Sequence, residues 1–168
     1  MVVDRWREVG HSGAHTHGRA NELERAQVFL GRATHTLDDK GRVVMPSAYR
    51  AQLKEGVVAT QGKEGQIAVV PVDIFQAFAE QEMETPRTRD ARRQSRAVFT
   101  AAEHLKLDSQ GRILLSIDMR EYAGLVGANE VVVAGLYDHV EVWEPELFRQ
   151  EQEISDRQYR DNEEAPGF

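Results

Sequence analysis

With 168 residues the chain can form one domain of ordinary size or two small ones, and its 40% hydrophobic content can supply a core. It has no cysteine, which excludes a disulfide framework and a thiolate metal site, and no apolar run approaches the roughly 20 residues of a membrane span. The net charge of −7 speaks against nucleic acid until its distribution is considered. Residues 143–168 carry eight acids against three arginines, whereas residues 28–142 carry sixteen acids against fourteen bases. A phosphate-binding surface needs local, not overall, positive charge.

Residues 1–27 hold the tract His11-Ser12-Gly13-Ala14-His15-Thr16-His17-Gly18, which has no apolar periodicity. We expect disorder there, and the histidines, without a defined helix to align them, do not make a metal site. Periodicity begins at Val28. A strand is predicted over Val28–Leu37, then a turn at Asp38-Asp39-Lys40-Gly41-Arg42 and a short strand, Val43–Met45. Pro46 opens a helix over Ser47–Leu53. Strands follow at Val57–Thr60 and Ile67–Val70, then a helix from Val72 to Glu82 with Ile74, Phe75, Phe78 and Ala79 on one face. Thr85 is the expected N-cap of an arginine-rich helix running to Ala101. The second half then reads as a strand, His104–Leu107, a turn, Asp108-Ser109-Gln110-Gly111-Arg112, and a strand, Ile113–Leu115. Ser116 caps a short helix, Ile117–Tyr122. Strands at Val131–Gly135 and Val140–Trp143 flank the turn Leu136–His139, and a charged helix covers Pro145–Arg160.

The two halves therefore share one order of elements. Leu37–Val43 lies over Leu107–Ile113 at an offset of 70 residues, and Arg50 lies over Arg120 at the same offset. Ile67–Val70 lies over Val140–Trp143, and Phe75 over Phe148, at an offset of 73. A single Asp-x-x-Gly-Arg turn is structural by default, since glycine supplies the bend and aspartate bonds its own downstream amides. Its recurrence in the same context points to a duplicated module with a selected surface. Aspartate and arginine could pair across each bend, or the arginine could point outward as a fork for phosphate or base edges.

The stretch Asp38-Asp39-Lys40-Gly41-Arg42-Val43-Val44-Met45-Pro46-Ser47-Ala48-Tyr49-Arg50 resembles the first repeat of the MraZ family, and Asp108–Ile113 resembles the second. Val28-Phe29-Leu30-Gly31, Arg120–Leu125 and Val140–Trp143 are also similar to that family, so the likeness spans about residues 28–150. It implies an α+β fold of two tandem SpoVT-AbrB-type modules, packed as one β-barrel-like pseudo-symmetric core with flanking helices. The expected divisions are module 1 over 32–74, connecting helices over 75–102, module 2 over 103–146, and a C-terminal helix and acidic tail over 147–168. Residues 1–27 have no counterpart, and we expect Val28 to be the native start, read as methionine. In module 2, Ser116 replaces Pro46 and Gln110 replaces Lys40, which makes the second turn less basic.

The resemblance also implies a cytoplasmic, nucleoid-associated regulator that binds double-stranded DNA at direct repeats upstream of the division and cell-wall gene cluster. The implied assembly is a ring-shaped homo-oligomer. Arg42 is the expected main DNA residue, Lys40 a phosphate contact, and Arg112 their counterpart, with a subunit interface as its alternative role. Asp38, Gly41, Asp108 and Gly111 would support the turns. Arg50 and Arg120 would satisfy helix-terminal carbonyls or pair with acids. Arg87, Arg89, Arg92, Arg93 and Arg96 form either a nucleic-acid stripe or a solvated or inter-subunit face pairing with Glu80, Glu82 and Glu84. No nucleophile elbow, P-loop or dinucleotide glycine pattern is present, and we expect no enzyme, cofactor, metal, small-molecule substrate or membrane contact. A ring-forming scaffold that binds only protein is the alternative. A single-module antitoxin-like or sporulation-type regulator is disfavoured by the tandem pair.

Overall fold

A computed structural model of the chain describes residues 28–84 and 88–162. The expectations for residues 1–27 and for Thr85 and Arg87 lie outside these. The elements in chain order are β1 (Phe29–Thr36), β2 (Arg42–Val44), α1 (Ser47–Leu53), β3 (Val57–Gln61), β4 (Ile67–Pro71), α2 (Val72–Glu84), α3 (Arg89–Ala101), β5 (Glu103–Leu105), β6 (Arg112–Leu114), α4 (Ile117–Tyr122), β7 (Glu130–Tyr137), β8 (Val140–Trp143) and α5 (Pro145–Asp161). Among the described residues no helix is long and apolar enough to cross a membrane.

The fold is α+β. Six strands form an antiparallel sheet in the order β1-β7-β8-β4-β3-β5, and β2 pairs with β6 as a separate two-stranded ribbon. Exchanging the elements of the two halves turns the sheet order into itself read from the other end, so a pseudo-twofold axis passes between β8 and β4. The first strand of each half is lent to the other: β1 pairs along its whole length with β7, and β5 pairs with β3. No ladder joins β1 to β5 among the described residues, so the six-stranded sheet is open at both edges.

Alternation along the strands creates two apolar layers. Val57, Ala59, Ile67, Val69, Val131, Val133, Val140 and Val142 face inward to one core, together with Val43 and Ile113 of the ribbon and Leu53 and Met119 of α1 and α4. Most of these side chains are fully sequestered from solvent, and each leucine- or valine-sized group contributes about 1.5–3 kcal/mol of burial. On the opposite sheet face Val58, Val70, Val132 and Trp143 are buried beneath α2, α3 and α5. There Phe75, Phe78 and Phe99 form a ring cluster with centroids about 6 Å apart, and Phe148 meets Trp143 edge-on at 5.9 Å. The molecule thus has three layers: ribbon and short helices, sheet, long helices.

Several element ends differ from the sequence reading, each for a local reason. α3 begins at Arg89 and is capped by Thr88, whose hydroxyl accepts from the Ala91 amide, where the sequence reading had the helix starting at Thr85. β7 runs on to Tyr137 because its partner β1 extends to Phe29, and Tyr137 itself takes φ 68° to enter the hairpin. β2 and β6 begin at the turn arginines, whose carbonyls accept from the Asp38 and Asp108 amides.

Candidate nucleic-acid interface

Both Asp-x-x-Gly-Arg turns are built in the same way. The carboxylate Oδ1 of Asp38 accepts from the amides of Lys40 (3.0 Å) and Arg42 (2.9 Å), and Oδ2 accepts from Arg42 Nε at 2.7 Å. Asp108 repeats the pattern with Gln110 (2.9 Å), Arg112 (3.0 Å) and Arg112 Nε (2.8 Å). One short acidic side chain therefore closes the bend and orients the arginine that follows it. Gly41 and Gly111 sit at φ 85° and 74°, a region that costs any L side chain free energy.

These bonds stabilise the ionised carboxylates. The Arg42 amide and guanidinium hold Asp38 below the usual carboxylate range. The Arg112 guanidinium, followed by its amide, draws Asp108 down to about 2. The two arginines are held differently. Arg112 engages Asp108 through both Nε and Nη2 (2.7 Å), and its Nη1 lies 3.8 Å from Asp38 of the other turn. Arg42 is anchored through Nε alone among the described residues, which leaves its two terminal nitrogens outside the brace. Its side chain is 29% exposed, against 20% for Arg112. Lys40 is exposed.

The two turns lie side by side because of the ribbon. Arg42 stands opposite Leu114, and Val44 opposite Arg112, with Val43 and Ile113 paired between them and buried. Beyond the ladder the Met45 amide donates to the Gly111 carbonyl and the Leu115 amide to the Gly41 carbonyl, both at 2.9 Å. Each turn is thus stitched to the strand end of the other half.

Arg50 and Arg120 are positioned by the same exchange, in a way the sequence did not reveal. Arg50 donates through Nε to the Met45 carbonyl at 2.8 Å, and its guanidinium stem lies directly beneath Gly111. Arg120, from the second half, lies beneath Gly41 of the first, although its buried Nε makes no hydrogen bond. The expected helix-end capping is replaced by a crossed brace: each short helix supports the turn of the other module. The common offset of 70 residues was the available signal. Counting these braces, five cations (Lys40, Arg42, Arg50, Arg112, Arg120) and three carboxylates (Asp38, Asp39, Asp108) gather here, a local excess of positive charge in an acidic chain.

The arginine-rich helix lies elsewhere. Thr60 on the outer sheet face donates to the Val98 carbonyl at 3.1 Å, and Ser95 donates to Glu82 of α2, which fixes α3 on the side of the sheet opposite the ribbon. Arg89, Arg92, Arg93 and Arg96 are exposed there. Arg93 meets Asp90 at 3.3 Å, and the adjoining α2 carries acids at Asp73, Glu80, Glu82 and Glu84 and no base. This stripe and the paired turns face away from each other.

The fold and its paired turns define a class: one chain built from two interlocked copies of a strand-turn-strand-helix module, with both turns presented on one face. Residues 28–97 and 98–165 each match the model of the MraZ protein family, antitoxin-like by its description. A protein of Nocardioides sp. (strain ATCC BAA-499 / JS614) named transcriptional regulator MraZ is 40% identical over 139 residues, 82% of this chain and 95% of the relative. Relatives of the same name from Thermomicrobium roseum and Corynebacterium kroppenstedtii are 38% and 35% identical, covering 76% and 82% of this chain and 89% and 96% of their own. The chain belongs to the MraZ family.

Proposed function

We propose that the chain is a sequence-specific DNA-binding transcriptional regulator and not an enzyme, and that it grips promoter direct repeats of the division and cell-wall gene cluster with its paired turns. The observation that carries this reading is the adjacency of two aspartate-braced arginines on one face, with Lys40 beside them. Arg42 is the principal contact, forked onto guanine or phosphate through the nitrogens its brace leaves over. Lys40 contacts phosphate, Arg112 is the second-module contact, and Asp38, Gly41, Asp108 and Gly111 hold the turns in shape. The two contiguous modules, with α2 and α3 connecting them, are copies of one ancestral unit. The ribbon lying over the sheet makes their shared core barrel-like.

A single pair of turns makes too few charge-assisted contacts for tight specific binding. A ring of copies engaging spaced repeats supplies the missing avidity, in the cytoplasm at the nucleoid. The test is a mobility-shift titration with a promoter fragment carrying the repeats, run across salt concentrations. The wild type should bind and weaken steeply with salt, and Arg42→Ala should lose specific binding while keeping its oligomeric mass. Full-strength operator binding by Arg42→Ala would refute the site. A wild type with no salt-dependent shift would leave the scaffold reading in its place.

A further inference from the structure

The ribbon carries a second kind of contact beside the arginines. Its inward residues, Val43 and Ile113, are wholly buried, so by strand alternation the outward face consists of Arg42, Val44, Arg112 and Leu114. The register places the arginines on one diagonal of this quartet and the aliphatic residues on the other. The pseudo-twofold axis relates Val44 to Leu114, yet the two differ. Val44 is half-buried, whereas Leu114 is 54% exposed and stands directly opposite Arg42. More than half of this leucine is thus offered to solvent on a face it shares with two arginines.

Resting on the DNA-binding reading above, we propose that Leu114 is a specificity-determining residue that reads a thymine methyl group in the major groove, next to the base or phosphate held by Arg42. The major groove admits a two-stranded antiparallel ribbon, and the thymine C5-methyl is its one apolar mark. Residues opposed across such a ladder have Cβ atoms about 5 Å apart. Base pairs stack about 3.4 Å apart. An arginine and an opposed leucine therefore span neighbouring base pairs. The two modules are also unequal readers: module 2 supplies the leucine, and module 1 supplies the freer arginine together with Lys40.

Replacing thymine by deoxyuridine removes only the methyl group and leaves every hydrogen-bonding edge intact. Fluorescence anisotropy with promoter duplexes in which each repeat thymine is replaced in turn tests the proposal against wild type and Leu114→Ala. At one thymine of the repeat the wild type should weaken about fourfold, the scale of one buried methyl. Leu114→Ala should be weakened to a similar degree on the natural duplex and show no further loss at that thymine. Its melting temperature and its mass by light scattering should be unchanged, since Leu114 packs little in the monomer. Three results would overturn the proposal: a wild type indifferent to every methyl, a Leu114→Ala protein as methyl-sensitive as the wild type, or a change in oligomeric mass with DNA affinity retained. The last would assign Leu114 to a subunit contact. A wild type that fails to bind the natural duplex removes the DNA reading itself and this inference with it, whereas failure at Leu114 alone leaves the arginine assignment standing.

Discussion

Gly111→Ala should destabilise the protein through two separable effects. The first is backbone strain: at φ 74° an alanine pays about 1–2 kcal/mol. The second is collision, because a Cβ built there lies 2.4 Å from Nε and 2.5 Å from Cδ of Arg50, far inside contact distance. Relieving it moves Arg50 and breaks its bond to the Met45 carbonyl, which adds about 1–2 kcal/mol for the lost bond and the stranded acceptor. Gly127 supplies the control, since it sits at φ 78° with nothing within 4 Å of its built Cβ. Gly127→Ala should show the strain alone. For a chain of this size the difference corresponds to a melting temperature about 2–8 °C lower for Gly111→Ala than for Gly127→Ala, at matched protein concentration. In an Arg50→Ala background the excess should vanish, which a double-mutant cycle with chemical denaturation reads as a coupling of about 1–2 kcal/mol. Equal effects of the two glycine substitutions, or an excess that survives loss of Arg50, would refute the crossed brace.

Further outcomes follow from the turns and the buried polar pair. Asp38→Asn keeps an oxygen for the two turn amides and removes the charge that holds Arg42 Nε, so the ratio of operator to random-sequence affinity should fall roughly tenfold while the melting temperature moves little; competition anisotropy measures that ratio. His139 is buried, which alone would lower its pKa, but its bonds to Asp138 and Glu141 outweigh burial and raise it to about 9. Because the folded value exceeds the ordinary 6.5, this contribution is complete below pH 6.5 and is lost as pH rises through 9, by up to about 3 kcal/mol. Denaturant midpoints should therefore decline from pH 7 to 9.5, and His139→Gln should flatten that decline.

Much of the fold was legible because each half repeats its own punctuation. Glycine and aspartate at fixed places set the turns, Pro46 and Ser116 open the short helices, and alternating valines mark the sheet. The exchange of strands was not legible, because alternation along Phe29–Thr36 says which face is buried but not which neighbour it pairs with. A proline follows Thr85, which marks it as a helix start, yet Thr88 is the residue whose hydroxyl reaches the helix amide. Within the site, the aspartate–arginine geometry was foreseen as one of two options. The roles of Arg50 and Arg120 depend on contacts with Gly111 and Gly41, tens of residues away in sequence, and no local rule could supply them.

The crossed support makes each half depend on the other. A chain holding just one of these units would lack the guanidinium stem that fills the space under its own bend, and would need a second copy to supply it. With both copies in one chain, their stoichiometry is fixed at one to one and neither half needs to match the other residue for residue. Lys40 against Gln110, and Val44 against Leu114, are the marks of that freedom.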